Sequence, residues 1–175
     1  RNLPVLRHAC PRCAIPYEHP DTQGECGACQ KHPPAFAHTV ALYRYAPPVD
    51  HFIRALKFHQ QLGPARLLGD QPAGRLVPET ARPDLVIPVP LHSARLRERG
   101  YNQALEIARP VARALGVPLD FRSLVRVRAT APQTGMTVKA RRKNLRGAFT
   151  LRDDEAVQNR RVALVDDVMT TGSTV

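Results

Sequence analysis

All four cysteines of the chain fall within its first 29 residues, as Cys10-Pro-Arg-Cys13 and Cys26-Gly-Ala-Cys29, with twelve residues between the pairs. Two thiolates two residues apart can wrap one side of a tetrahedral ion, and a second pair on a returning hairpin completes the shell. Pro11 and Gly27 suit the tight turns this requires. Two disulfides or a redox dithiol are the other chemistries open to four cysteines. The start, Arg1-Asn2-Leu3-Pro4, lacks the long apolar run of a secretory signal. A cytoplasmic location is therefore expected, where a reducing medium disfavours disulfides. A thioredoxin-like site uses one such pair in a βαβ setting, not two. The spacing predicts a structural zinc held by Cys10, Cys13, Cys26 and Cys29. With four thiolates there is no place for water, so the ion holds a fold and does no chemistry. A ribbon of this size cannot bury enough core alone, and the metal supplies its folding energy. His8, His19 and His32 read as surface histidines. Lys31-His32-Pro33-Pro34 reads as a linker, dividing the chain into a ribbon with linker over 1–34 and a second domain over 35–175. Because residue 1 is not Met, a trimmed start is expected.

Hydrophobic residues make up 43% of 175 residues, so wholesale disorder is excluded. No apolar run approaches the ~18 residues of a membrane span, and no membrane insertion is expected. Lys and Arg number 26 against 15 Asp and Glu, a net charge of +11. Such a charge implies a polyanionic ligand: nucleic acid, membrane surface or a phosphorylated metabolite. Residues 1–35 hold four bases and three acids, a net of +1, so the other +10 lies beyond them. From Phe121 to Arg152 there are nine bases and no acid. Like charges repel unless an anion arrives. Seventeen prolines argue for short elements and many turns, not a helical bundle.

Thr39–Tyr45 is strand-like. Val49, Phe52, Ile53 and Leu56 fall at i, i+3, i+4 and i+7, an amphipathic helix. A second helix is expected over Ala65–Val77, interrupted by Gly69 and Gly74. Asp84–Pro90 is a short apolar run ending in prolines, consistent with a buried strand and a turn. Tyr101–Leu115 reads as a helix with Pro110 in its middle. Phe121–Val127 is strand-like, Arg141–Arg146 suits a short helix, and Val162–Val165 is a continuous apolar strand of the parallel-sheet kind. Strands alternating with helices give an α/β class.

The last strand runs straight into Asp166-Asp167-Val168-Met169-Thr170-Thr171-Gly172-Ser173-Thr174. Open α/β sheets bind ligands at the carboxyl ends of their strands, and here that end carries two adjacent carboxylates. A loop of hydroxyl residues around one glycine can close its N–H groups around a phosphate. Acids beside a phosphate nest suit a ligand with both sugar hydroxyls and a phosphate, such as ribose 5-phosphate. Helix capping by Thr170, Thr171 or Ser173 is the alternative, but it leaves the two acids unexplained.

This run resembles the phosphoribosyl-pyrophosphate (PRPP) signature of type I phosphoribosyltransferases. The rest of the chain is similar to the competence protein F (ComF) family. Besides the paired cysteines, the resemblance rests on Leu56-Lys57-Phe58-His59, Pro88-Val89-Pro90-Leu91-His92 and Arg95–Gln103. It extends through Pro132-Gln133-Thr134-Gly135-Met136 and Arg142–Phe149. It implies a type I phosphoribosyltransferase-like fold, a mostly parallel sheet flanked by helices, behind the zinc ribbon. It also implies that Asp166 and Asp167 are the catalytic acids, on ribose and metal waters. Thr170, Thr171, Gly172, Ser173 and Thr174 hold the 5′-phosphate. Val89 and Pro90, leading to Arg95, Arg97, Arg99 and Gly100, hold pyrophosphate, and Asn102 and Gln103 contact phosphate or orient the loop. Residues ~128–143 form a mobile lid, with Gln133, Thr134, Gly135 and the Lys139/Arg141/Arg142 cluster as contacts. The implied cofactors are the structural zinc and magnesium carried with PRPP. The implied reaction displaces pyrophosphate at the anomeric carbon by an unidentified nitrogen nucleophile.

Members that salvage 6-oxopurines carry an aspartate three residues after the second acid, where this chain has Thr170. A threonine is no general base at neutral pH, so oxopurine salvage is not expected. His59, His92 and Lys57 are the nearest proton-transfer groups in type, with no sequence feature placing them at the nucleophile. An active transferase, a competence factor associated with single-stranded DNA or other competence proteins, and a PRPP-binding regulator without turnover all fit these residues. Only three residues follow Gly172, too few for a helix turn, and the fold would want another strand. The chain is therefore expected to be a fragment whose C-terminal end is missing.

Overall fold

A computed structural model describes residues 3–58, 62–70, 82–130 and 137–169. Within them the cysteine region contributes one short helix, α1 (Gly27–Lys31). The apolar period at 49–56 forms α2 (Val49–Phe58), whose Val49, Ile53 and Leu56 are buried. The next helix, α3 (Gly63–Asp70), starts two residues before the expected position; the remainder of the expected helix lies outside the described residues. Then come β1 (Leu85–Pro88), α4 (Ser93–Arg99) and α5 (Gln103–Leu115). The chain continues with β2 (Leu124–Arg126), α6 (Val138–Leu145), β3 (Phe149–Leu151) and β4 (Val162–Val165).

The class is mixed α/β with a small parallel sheet. β1 pairs with β4 in parallel, from Leu85 opposite Val162 to Pro88 opposite Val165. On its other side Val86 makes a parallel bridge to Leu119, and Val86 N–H donates to Pro118 O while Asp120 N–H donates to Val86 O. With neighbours on both edges, β1 is buried at all four positions. β4 departs from the fully buried strand its composition suggests. Leu164 is 40% exposed, because among the described residues only β1 flanks this strand. β2 and β3 form a separate antiparallel ribbon, with Arg126 opposite Phe149.

Pro110 does not break α5. A proline removes one helix N–H and crowds the preceding turn, yet the helix runs unbroken through it. The apolar face of α5 compensates. Ala104, Ile107, Ala108, Pro110, Ala112 and Leu115 are all buried, and each large aliphatic there contributes ~1.5–3 kcal/mol by leaving water. Val86, Ala108, Ala112 and Leu115 form one core with Ala163 and Val165 against it. Leu56, Ala65 and Ile107 form a second, which Tyr101 and Val165 complete.

The segment 39–45 forms no extended strand; a single antiparallel bridge joins Val5 to Tyr43. Leu6 N–H donates to Leu42 O and Arg44 N–H to Pro4 O. Leu3 and Tyr43 pack on Val49, Ile53 and Leu68. Leu3 thus lies on α2 and α3, across the boundary expected at 34.

Candidate functional site

Two clusters of reactive side chains stand out, and they are built differently. In the first, the chain turns back at Cys10–Cys13. Ala9 bridges Pro16, Cys10 N–H donates to Ile15 O, and Ala14 takes a left-handed conformation at φ 57°. The second turn leads into α1, with Cys26 as its N-cap. Cys26 N–H donates to Cys10 Sγ at 3.3 Å, tying the turns together. Arg12 Nε donates to Glu25 Oε1 at 2.8 Å and braces them from outside.

The four sulfur atoms lie within 4.8 Å of one another, and all four cysteines are free thiols. Sulfurs at ~2.3 Å from a tetrahedral zinc stand ~3.8 Å apart; Cys13 Sγ and Cys26 Sγ are 3.7 Å apart. The set can therefore hold a metal such as zinc. Burial raises the Cys13 and Cys29 thiols. At Cys10 desolvation also pushes upward, but N–H donors of Cys26, Cys13 and Arg12 outweigh it and bring the thiol to about 6. Those donors favour thiolate, the form that binds metal. His8, His19 and His32 are exposed and outside the cluster.

The second cluster lies at the carboxyl edge of the parallel pair. Because Pro88 is opposite Val165, the turn beginning at Val89 emerges beside Asp166 and Asp167. Val89 N–H donates to Val165 O at 2.9 Å, and its carbonyl accepts from Asn102 Nδ2 at 3.0 Å. Val89 thus spends both backbone groups inside the protein. Asn102 also caps α5, its Oδ1 accepting from Ala104 N–H at 3.0 Å, so it orients the turn. Gln103 is buried and accepts from Arg99 Nη1 at 2.5 Å. Arg95, Arg97 and Arg99 lie on a helix, α4, with Arg95 paired to Glu98 at 3.0 Å. Gly100 ends that helix at φ 84°, a left-handed cap that favours glycine.

Asp167 is held from a distant part of the chain. Its Oδ2 lies 2.5 Å from Lys57 Nζ, and its side chain is 5% exposed against 27% for Lys57. That oxygen has no partner in hydrogen-bond geometry among the described residues, so the link is one of charge. Lys57 follows Leu56 on α2, one turn beyond Ile53. Val168 packs against the core of Val49, Ile53 and Leu68, which draws the acid turn onto α2. Asp167 N–H donates to Asp166 Oδ1 at 2.9 Å. Desolvation, and then the like charge of Asp167, push Asp166 up to about 8, with Lys57 opposing. Asp166 keeps an exposed outer side, so the upward direction stands chiefly on the neighbouring carboxylate.

Arg126 approaches from the ribbon. Its guanidinium lies 5.4 Å from the Phe149 ring centre, and Nη2 donates to Thr130 Oγ1. Its Nε is buried without a partner among the described residues. Desolvation lowers its pKa; Asp166 opposes this, while Arg95 and Arg128 add to it. Arg128 donates to Asn144 O at 2.8 Å and Arg146 O at 2.6 Å. From the charge run of 121–152, Arg126 thus acts in charge on Asp166. Nothing in its spacing singles out Arg126, and the ion pair of Lys57 is equally invisible in sequence. Thr170, Thr171, Gly172, Ser173 and Thr174, Gln133, Thr134 and Gly135, and His59 lie outside the described residues. Of the expected lid, the part beyond Thr137 is α6, with exposed Lys139 and Lys143; the side chains of Arg141 and Arg142 are not described.

No helix among the described residues is long and apolar enough to cross a membrane. No family model matches the chain. Among curated proteins it is similar to the DNA utilization protein YhgH of Salmonella typhimurium, 37% identical over 171 residues, covering 95% of this chain and 74% of the relative. The protein of the same name from Escherichia coli K12 is 36% identical over the same shares. Competence protein F of Haemophilus influenzae is 38% identical over 161 residues, 86% of this chain and 68% of the relative.

Proposed function

The chain belongs to the competence protein F family, and on that premise we propose that its α/β part is a type I phosphoribosyltransferase-like domain that binds PRPP with magnesium. Residues 1–34 form the zinc ribbon and linker and 35–175 the ligand-binding domain, in a reducing, cytoplasmic setting. The observation that supports this most is the parallel register of β1 and β4. It sets the turn after Pro88 beside Asp166 and Asp167 at one carboxyl edge, where α/β sheets receive ligands. Asp166 takes the ribose hydroxyls, and the segment after Met169 takes the 5′-phosphate. Arg95, with Arg126 close by in charge, meets the pyrophosphate. The relatives' names connect the protein to DNA utilization and competence.

The carboxylates fit magnesium only as part of a ligand complex. Asp167 already faces Lys57, and two adjacent carboxylates do not supply the six oxygens magnesium prefers. Phosphate oxygens of the ligand supply the remainder. When bound, magnesium neutralises charge on the departing pyrophosphate. The chain's own part is to orient the ribose with Asp166 and to place arginine charge at the leaving group, so that a nitrogen nucleophile can displace it.

Calorimetric titration of PRPP–Mg²⁺ tests this reading. Wild type is expected to bind saturably, and Asp166→Asn and Asp167→Asn each to lose ~10-fold or more, the loss of one hydrogen bond to a charged group. Unchanged affinity in both variants refutes it. A second reading, contact with single-stranded DNA, is favoured by the acid-free stretch 121–152 and the exposed lysines of α6. It is weakened by the scarcity of aromatics: Phe121 and Phe149 alone occur in that stretch, too few for a base-stacking platform, and Arg126 lies over the Phe149 ring. DNA binding with a steep salt slope and no PRPP signal reverses the order of the two readings.

A further inference from the structure

The acid pair carries a resident cation. Lys57 Nζ stands 2.5 Å from Asp167 Oδ2, and the carboxylate is almost wholly buried behind it. Its charge also acts on Asp166. This lysine is placed by packing: Leu56 beside it is fully buried, and the Tyr101 hydroxyl donates to Leu56 O. On the other side, Val168 fastens the acid turn to the same helix. The helix backbone that carries Lys57 is thus fixed beside the acid turn, while its ammonium, on a four-carbon stem and part-exposed, can still turn toward a second anion.

We propose that Lys57 is a specificity-determining residue of this site: its ammonium holds the cation position on Asp167, so the pair takes up no divalent ion alone and accepts one only with a polyphosphate ligand. The inference rests on the reading of this edge as a PRPP–Mg²⁺ site. Two bare adjacent carboxylates attract a divalent ion; a unit positive charge at hydrogen-bond distance from one of them repels it. A ligand with several phosphate negative charges reverses the balance, since it carries its own metal and can draw Lys57 toward a phosphate oxygen. The site then discriminates between free divalent cations and the metal–pyrophosphate complex, and idle metal does not block the ribose position.

Manganese alone, followed by electron paramagnetic resonance on the zinc-loaded chain, tests this without PRPP. Wild type is expected to show no saturable Mn²⁺ site at the acid pair. Lys57→Met is expected to bind Mn²⁺ at least ~10-fold more tightly than wild type, and Lys57→Met/Asp167→Asn to lose that gain. Lys57→Arg, which keeps the charge, is expected to behave as wild type. Lys57→Gln, closer to lysine in length and polarity, serves if the methionine variant does not fold. If neither neutral variant gains Mn²⁺ affinity, Lys57 is only a tether between α2 and β4 and the proposal is overturned. PRPP–Mg²⁺ titrated into wild type separates the two questions. Binding there with no Mn²⁺ gain in the variants removes the role of Lys57 alone. A Mn²⁺ gain without PRPP binding leaves the role of Lys57 standing and removes the PRPP reading.

Discussion

The cysteine cluster and the acid edge both crowd groups of like charge, and both need a cation to make the crowding stable. They meet that need in opposite ways. Cys10, Cys13, Cys26 and Cys29 come from 20 consecutive positions, and their sulfurs lie within 4.8 Å of one another. A metal such as zinc can supply their cation from outside. Asp166 and Asp167 are adjacent in sequence, but Lys57 lies more than a hundred residues away on α2. Their first cation is supplied by the fold. A site closed by local spacing is written in the sequence; a site closed by a distant side chain is not.

This difference can be broken at its strongest point first. Cys29→Ser is expected to abolish zinc in the purified protein, from one ion per chain to none, and to unfold the ribbon. Structural zinc contributes on the order of 10 kcal/mol to such small units. The α/β part is expected to survive, because Leu56, Val86 and Ala108 pack without any cysteine. It will lose some stability at α2, where Leu3 docks. Elemental analysis with far-ultraviolet circular dichroism reads both; full zinc content in the variant removes the four-thiolate assignment.

The converse substitution sharpens the contrast. Leu56→Ala empties a fully buried position beneath Lys57 and is expected to cost ~2–5 kcal/mol of α/β stability. Zinc content should stay at wild-type level, since no residue of the cysteine cluster touches that core. Urea unfolding followed alongside metal release checks this, and coupled loss of both makes the two regions a single cooperative unit.

The smallest effect concerns pH. The neighbouring carboxylate of Asp167 raises Asp166 above its ordinary 3.8, so just above that value the folded chain keeps a proton that the unfolded chain has lost. Stability therefore falls as pH rises through that window. Asp166→Asn removes the group, and the urea midpoint of the zinc-loaded variant is expected to fall less between pH 5 and 8 than that of wild type. Parallel pH profiles show that the carboxyl is not held in its protonated form.

Elements whose cause is local were legible before any coordinates. The i, i+3, i+4, i+7 spacing of Val49, Phe52, Ile53 and Leu56 gives α2, and the apolar run after Asp84 gives β1. α4 was not legible, because Ser93–Arg99 buries no residue and offers no apolar stripe. It is held by His92 and Gly100 at its two ends. β3 was missed because Phe149–Leu151 is three residues long and largely exposed. Pro110, a helix breaker on local grounds, is overridden by the packing of α5.

The sequence alone determined the four-cysteine set that can hold a metal, the mixed α/β class, the acid pair at the end of an apolar strand, and membership of a family. Each follows from short-range spacing or from residues read in order. Tertiary structure decided which cations meet those acids. Lys57 sits at Asp167 because α2 and the turn after β4 share the core of Val49, Ile53, Leu68 and Val168. Arg126 reaches Asp166 in charge while it lies against Phe149, its partner across the ribbon. Coulomb energy depends on separation in space and on the surrounding dielectric, and neither is a property of position along the chain.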